Sequence, residues 1–260
     1  GEDSLADVFY KRAESWRNII NPETGFATPR LNGDWLANFD PKEVNLHFTE
    51  ANSWQYSFVQ QELGMLESSK NLEARLDALF SEKEQTTGRT QSDIAGLIGQ
   101  YAHGNEPSHH ITYLYNYTAH PEKGQEIIKQ ICDSFYTNTP DGLIGNEDCG
   151  QMSAWYVFSS MGFYPMTPGS NEYYSGVCTF DSVRIRGEND SFFRIISSAK
   201  VGSQFYVLLD DNESSSQNIL YQKGASVLEH NKIVNGYLTY FGITTNPTNH
   251  TKIIDRLIID

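Results

Sequence analysis

Gly145-Asn146-Glu147-Asp148-Cys149-Gly150-Gln151-Met152-Ser153-Ala154-Trp155 sets glycines on either side of an Asn-Glu-Asp cluster, and an apolar run from Trp155 to Phe163 follows at once. The spacing predicts a loop that delivers carboxylates to the start of a helix over 149–163. Free backbone N–H groups and the helix dipole at such a start favour an ionised carboxylate. Asp148 would then stay charged and could act as a base. An Asp before a helix is also a common N-cap, and this stretch read alone supports either role.

Working toward the N-terminus, Pro121 starts a helix through Ile127, Ile128, Ile131 and Phe135, closed by the turn residues 137–142. Before it, His103-Gly104-Asn105-Glu106-Pro107-Ser108-His109-His110 packs three His, one Asn and one Glu into eight residues. Pro107 suits the first turn of a helix running through Ile111, Leu114 and Tyr115 to about Thr118. Zinc would call for a spacing such as HExxH, which is absent. Asn and Glu oxygens are hard ligands that suit calcium, and His can hydrogen-bond a polyhydroxylated ligand. A short Gly-containing helical run is expected over 93–100. An amphipathic helix is expected over 70–83, with Leu72, Leu76, Leu79 and Phe80 as its stripe.

Thr49-Glu50-Ala51-Asn52-Ser53-Trp54-Gln55-Tyr56 opens a helix expected to reach about Leu66. Glu50 reads as a first-turn Glu favoured by the dipole. It also reads as a carboxylic acid beside Trp54, where desolvation would raise its pKa and let it donate a proton. Residues 21–43 form a loop carrying Trp35 and Phe39. Residues 3–20 form an amphipathic helix with Leu5, Val8, Phe9, Ala13, Trp16, Ile19 and Ile20, stopped by Asn21-Pro22.

Beyond Pro168-Gly169 the period changes from helical to alternating. Segments 182–186, 193–196, 204–209, 237–241 and 253–259 read as strands, with a hairpin connection at 231–236. The class is therefore α+β. Residues 1–171 hold helix pairs whose chemistry gathers at helix N-termini, as at one end of an (α/α)6 toroid. Residues 172–260 form an antiparallel β-sheet or sandwich packed on it.

A net charge of −14 argues against nucleic acid, which needs a basic surface. An aromatic fraction of 13% suits both a dense core and a sugar-stacking cleft. The odd count of three cysteines leaves no full disulfide framework. No stretch approaches the ~20 apolar residues of a membrane helix. The chain opens inside an apparent helix, which suggests part of a longer secreted protein.

Taken together, Asn21–Phe26, Glu50–Tyr56, Gly88-Arg89, His103–His110, Gly145–Trp155 and Gly162-Phe163-Tyr164-Pro165 resemble glycoside hydrolase family 92. These are calcium-dependent, inverting exo-α-mannosidases abundant in glycan-degrading gut bacteria. The resemblance spans residue 1 to about 180. It implies the later half of an (α/α)6 barrel with its closing β element, lacking the family's N-terminal β-sandwich, which would be a partner in forming the pocket. It implies terminal α-linked mannose, with α-1,2 the expected linkage, on N-glycan or mannan-type glycans as substrate, and a secreted, periplasmic or outer-surface bacterial location. Carried over by position, Glu50 matches the general acid and Asp148 the general base. Substrate contacts would draw on His103, Asn105, Glu106, His109, Asn146 and Glu147. Calcium would draw on Asn105, Glu106 and Asp148. Inversion needs the two catalytic carboxyls roughly 6.5–9.5 Å apart. Two other readings stand beside this one: an inactive carbohydrate-binding or scaffold half, and a metal-independent inverting (α/α)6 glucosidase. A zinc hydrolase on His103, His109 and His110 is a more distant third.

Overall fold

The computed structural model describes residues 3–44, 52–60, 71–170, 172–180, 182–186, 192–197, 204–210, 227–229 and 239–242. The α+β class holds. Helices Leu72–Ser81, Pro121–Phe135 and Gln151–Met161 form where apolar periodicity predicts them. Asn71 caps the first of these through its side chain, which accepts from the Ala74 N–H. Pro121 occupies the first turn of the second, where its missing N–H costs nothing. Gly162, left-handed at φ 99°, ends the third.

The core lies between these helices. Leu76 and Leu79 meet Ile111, Leu114, Ile128 and Ile131, all fully buried, together with Tyr113, Tyr115 and Trp155. Each such aliphatic side chain contributes about 1.5–3 kcal/mol on burial. Outside the core, a surface lock joins the helices Leu72–Ser81 and Pro121–Phe135. Lys123 Nζ donates to Glu73 (2.8 Å) and Asp77 (2.7 Å), and the Tyr115 hydroxyl donates to Asp77 (2.9 Å).

Several expectations are corrected. The helix at 93–100 is instead a tight hairpin, Leu97–Ile98 paired with Tyr101–Ala102. Gly96 and Gly99, at φ 63° and 61°, turn the chain left-handed where a helix would need negative φ. The helix from Pro107 to Thr118 is two 3₁₀ segments, Glu106–Ser108 and Ile111–Tyr117. The N-terminal helix ends at Ala13 and continues as 3₁₀ over Glu14–Asn18. Most of its expected apolar stripe is not buried: Leu5, Val8 and Phe9 are half exposed, while Ile20 is buried. The loop 21–43 contains a small hairpin, Arg30–Leu31 with Asp34–Trp35. Among the described residues, the helix that follows Glu50 spans only Ser53–Tyr56. The Asn116 side-chain amide is buried and donates to the Tyr113 and Ser175 carbonyls.

The tail is β as its alternation predicts. Strands Ser182–Arg186, Phe192–Ser197, Gln204–Asp210 and Thr239–Gly242 form one antiparallel sheet, the last pairing with the third. A second, three-stranded sheet joins Phe163–Tyr164, Glu172–Ser175 and Val227–Glu229. Val183 and Ile185 turn toward Phe158, Phe163 and Cys178, while Arg184 between them is exposed. That alternation anchors the first sheet on the helix Gln151–Met161. The expected strand at 253–259 and the connection at 231–236 lie outside the described residues. All three cysteines are free. Among the described residues, no helix is long and apolar enough to cross a membrane.

Candidate functional site

Three loops converge at the start of the helix Gln151–Met161. The 103–106 and 145–148 loops touch through paired glycines: a Cβ on Gly145 would meet the Gly104 Cα at 3.3 Å, and one on Gly104 would meet the Asp93 carbonyl at 3.0 Å. The third loop is held by backbone bonds from His103 to Gly96 and from Gly104 to Ala95. Asn146 Nδ2 donates to Asp93 Oδ1 at 2.9 Å. Asn146 thus ties two loops together, and Asp93 is a participant that no motif in the sequence marked.

Asp148 is not the cap of the helix. Glu147 is: its carboxylate accepts from the Ser153 N–H (3.2 Å) and the Ser153 hydroxyl (2.8 Å). The remaining first-turn donors go to backbone, Gln151 to the Asp148 carbonyl and Met152 to the Glu147 carbonyl. No first-turn N–H is left for the Asp148 side chain. Asp148 and Cys149 instead adopt left-handed backbone, φ 51° and 56°, leading into Gly150 at φ 94°. Left-handed conformation in non-glycine residues costs about 1–2 kcal/mol each. This conformation holds the Asp148 carboxylate out of the helix end and exposed.

There it meets Glu106. The Glu106 carboxyl is pushed up from its ordinary range by burial first, and further by the neighbouring Asp148 and Asp93.

The histidines play a different part from the one expected. His103 is fully buried with both ring nitrogens engaged. The Tyr136 hydroxyl donates to the Met152 carbonyl (3.0 Å), so His103 Nε2–H donates to Tyr136 (2.7 Å) and Nδ1 accepts from Tyr101 (2.8 Å). His109 Nε2–H donates to the His103 carbonyl (2.9 Å), and its Nδ1 accepts from Gln151 Nε2 (3.0 Å). Neither ring keeps a nitrogen for a sugar. Burial holds both well toward the neutral form, His109 at about 4. Trp155 Nε1 closes the arrangement by donating to the His109 carbonyl (2.9 Å). These side chains pack on one another at the start of the helix Gln151–Met161. Likewise Glu147, with both oxygens on Ser153, is a cap rather than a free substrate contact.

Asn105 is nearly fully buried. Its Nδ2 donates to Gln55 Oε1 (2.8 Å), while its Oδ1 has no partner. This orphan acceptor lies one residue from Glu106, so Asn105, Glu106 and Asp148 offer uncharged and charged hard oxygens of the type calcium takes. Among the described residues, no three His, Cys, Asp or Glu side chains cluster as a metal site by themselves. Glu50 lies outside the described residues.

Comparison with known proteins agrees with the motifs. Residues 1–241 match the family model described as the glycosyl hydrolase family 92 catalytic domain. A GH92 alpha-mannosidase of Bacteroides thetaiotaomicron, solved with mannoimidazole, shares 34% identity at a TM-score of 0.72; the alignment covers 93% of this chain and 33% of that one. A GH92 inverting mannosidase from the same organism shares 30% at 0.69, over 92% of this chain and 34% of that one. An "uncharacterized secreted glycosidase" of Arthroderma benhamiae is 27% identical over 209 residues, 69% of this chain and 25% of the relative. The chain thus spans between a quarter and about a third of these relatives' lengths.

Proposed function

The chain belongs to glycosyl hydrolase family 92, and from that premise we propose that it contributes the general base and the cation-binding edge of an exo-α-mannosidase site. The observation that carries this reading is the Asp148 carboxylate, lifted on left-handed backbone, released from capping by Glu147 and set against Glu106. Strained backbone held in place by its surroundings is a mark of functional sites.

In this reading Asp148 removes a proton from the attacking water, and Glu50 protonates the departing glycosidic oxygen from the opposite side. The anomeric centre inverts, as inversion requires one acid and one base with water between. Asn105 Oδ1, Glu106 and Asp148 would hold a calcium ion, which when bound supplies a template for adjacent sugar hydroxyls and polarises them. Residues 1–171 then act as the later half of an (α/α)6 barrel and 172–260 as its β closure. A β-sandwich supplied elsewhere in the whole protein would complete the pocket. The substrate class is terminal α-linked mannose, with α-1,2 linkage the first to test. A secreted setting is in keeping with the name of the fungal relative.

A second reading follows from coverage: at about a third of its solved relatives' length, the chain can be a glycan-binding half without turnover of its own. Hydrolysis of α-1,2-mannobiose decides, with the solved Bacteroides enzyme as reference and product anomers followed by NMR. Turnover abolished by EDTA, restored by calcium and lost in Asp148→Ala supports the mannosidase reading. Wild-type rates in Asp148→Ala remove Asp148 from the mechanism. Calcium-dependent mannoside binding without turnover favours the binding half.

A further inference from the structure

Two buried amide pairs cross the seam between the segment Asn52–Ser57 and the segment Gln100–Asn105, and they differ. In the first, Asn52 Nδ2 donates to Gln100 Oε1 (2.9 Å), and Asn52 Oδ1 accepts from the Gln55 N–H (3.3 Å). Gln100 Nε2 then donates to the Lys83 and Gln85 carbonyls (2.6 and 3.0 Å). Every group in that pair is satisfied. In the second, Asn105 Nδ2 donates to Gln55 Oε1 (2.8 Å), but Gln55 Nε2 and Asn105 Oδ1 are both left without a partner. Gln55 is fully buried and Asn105 is 1% exposed. A buried amide donor or acceptor left unpaired costs about 1–3 kcal/mol, so native proteins rarely keep two side by side.

The two orphans are complementary. Flipping both amides together only exchanges which residue offers the donor and which the acceptor. A hydroxyl carries both what they lack, an oxygen to accept from Gln55 Nε2 and a proton for Asn105 Oδ1. We propose that Gln55, with Asn105, is a specificity-determining residue that reads one hydroxyl of the terminal sugar. The proposal rests on the mannosidase reading above and deepens it. Asn105 Oδ1 has two lone pairs, so accepting this proton leaves one for a cation. The position suits the role: Gln55 lies five residues after Glu50, and Asn105 immediately precedes Glu106. The hydroxyl chemistry could also come from a resident water, and the test separates the two.

Methyl α-mannoside and its 2-, 3-, 4- and 6-deoxy derivatives are titrated calorimetrically, with calcium present, into the protein and its Gln55→Met variant. The unaltered protein should lose on the order of 10- to 100-fold in affinity for one deoxy derivative beyond any effect of the calcium-bridged hydroxyls. Gln55→Met should bind the parent sugar more weakly by a similar factor, and be indifferent to that same deoxy position. An equal penalty on every derivative means a resident water and overturns the inference while leaving the mannosidase reading intact. No mannoside binding by the unaltered protein overturns both. If Gln55→Met does not fold, the Gln55 side-chain amide NMR signal of the unaltered protein decides. It must shift with mannoside and fail to shift with one deoxy derivative; an unmoved signal overturns the proposal.

Discussion

Acidification should unfold this protein through its buried imidazoles, well before its carboxylates are titrated. His109 and His110 are each 1% exposed, and burial lowers both from 6.5 to about 4. His103 is lowered in the same direction by burial and by His109. In the unfolded chain each imidazole takes up a proton near 6.5; in the folded chain it does not until about 4. The unfolded state therefore binds more protons throughout that window, and stability falls as pH drops through it. At pH 5 the loss is about 2 kcal/mol for each of His109 and His110, roughly 4 kcal/mol together, against a total of about 5–15 kcal/mol for ordinary domains. The lowered carboxyls Glu73 and Asp77, held by Lys123, act in the same direction but only below about their ordinary values of 4.5 and 3.8. Glu106, raised, opposes the trend, but weakly, because it is partly solvated. Urea unfolding at pH 7, 6 and 5 reads the effect. For a slope of about 2–3 kcal/mol/M, the midpoint should fall by roughly 1–2 M between pH 7 and 5. His110→Gln should remove its share of that dependence, about 2 kcal/mol at pH 5. A midpoint that stays level across this range, or native imidazole signals titrating near 6.5, would refute the reasoning.

Other outcomes follow from single contacts. Glu147→Ala removes the cap on Gln151–Met161 and should cost about 1 kcal/mol, read as a lower melting temperature. Gly124→Ala drives a Cβ to 2.5 Å from the Thr112 carbonyl where the helix Pro121–Phe135 crosses the 3₁₀ segment Ile111–Tyr117; it should destabilise by about 1–3 kcal/mol in the same assay. At the proposed calcium site, affinity should weaken as pH falls toward 5. The raised Glu106 carboxyl then holds its proton against the cation, and calorimetry at pH 7 and 5 would show the change. Asn146→Ala frees Asp93 and loosens the 145–148 loop, which should show as faster amide hydrogen exchange at Gly145–Gly150 while the helix core stays protected.

Much of the architecture was legible in the chain. The stripes Leu72–Leu79 and Ile128–Ile131 give their helices because a 3.6-residue period has only one buried face to offer. The alternation at Val183-Arg184-Ile185 likewise yields a strand with Arg184 outward. Gly145 and Gly150 marked a loop before a helix, and the run of motifs placed the chain in its family. Local pattern misread 93–100, where left-handed glycines make a hairpin, and the N-terminal stripe, most of which stays exposed.

The hydrogen-bond partners of the polar residues appear only in three dimensions. Three histidines in one motif look like ligands, yet His103 and His109 are consumed by two tyrosine hydroxyls, a glutamine and the His103 carbonyl, and of these Tyr136 and Gln151 come from distant segments. Glu147 and Asp148 are neighbours of the same chemistry, and backbone conformation alone makes one a cap and releases the other. The orphaned amides of Gln55 and Asn105 come from segments fifty residues apart. A residue's type, and often its element, can be read from its neighbours along the chain. Whether its polar atoms are already satisfied depends on partners that only folding brings within hydrogen-bond reach.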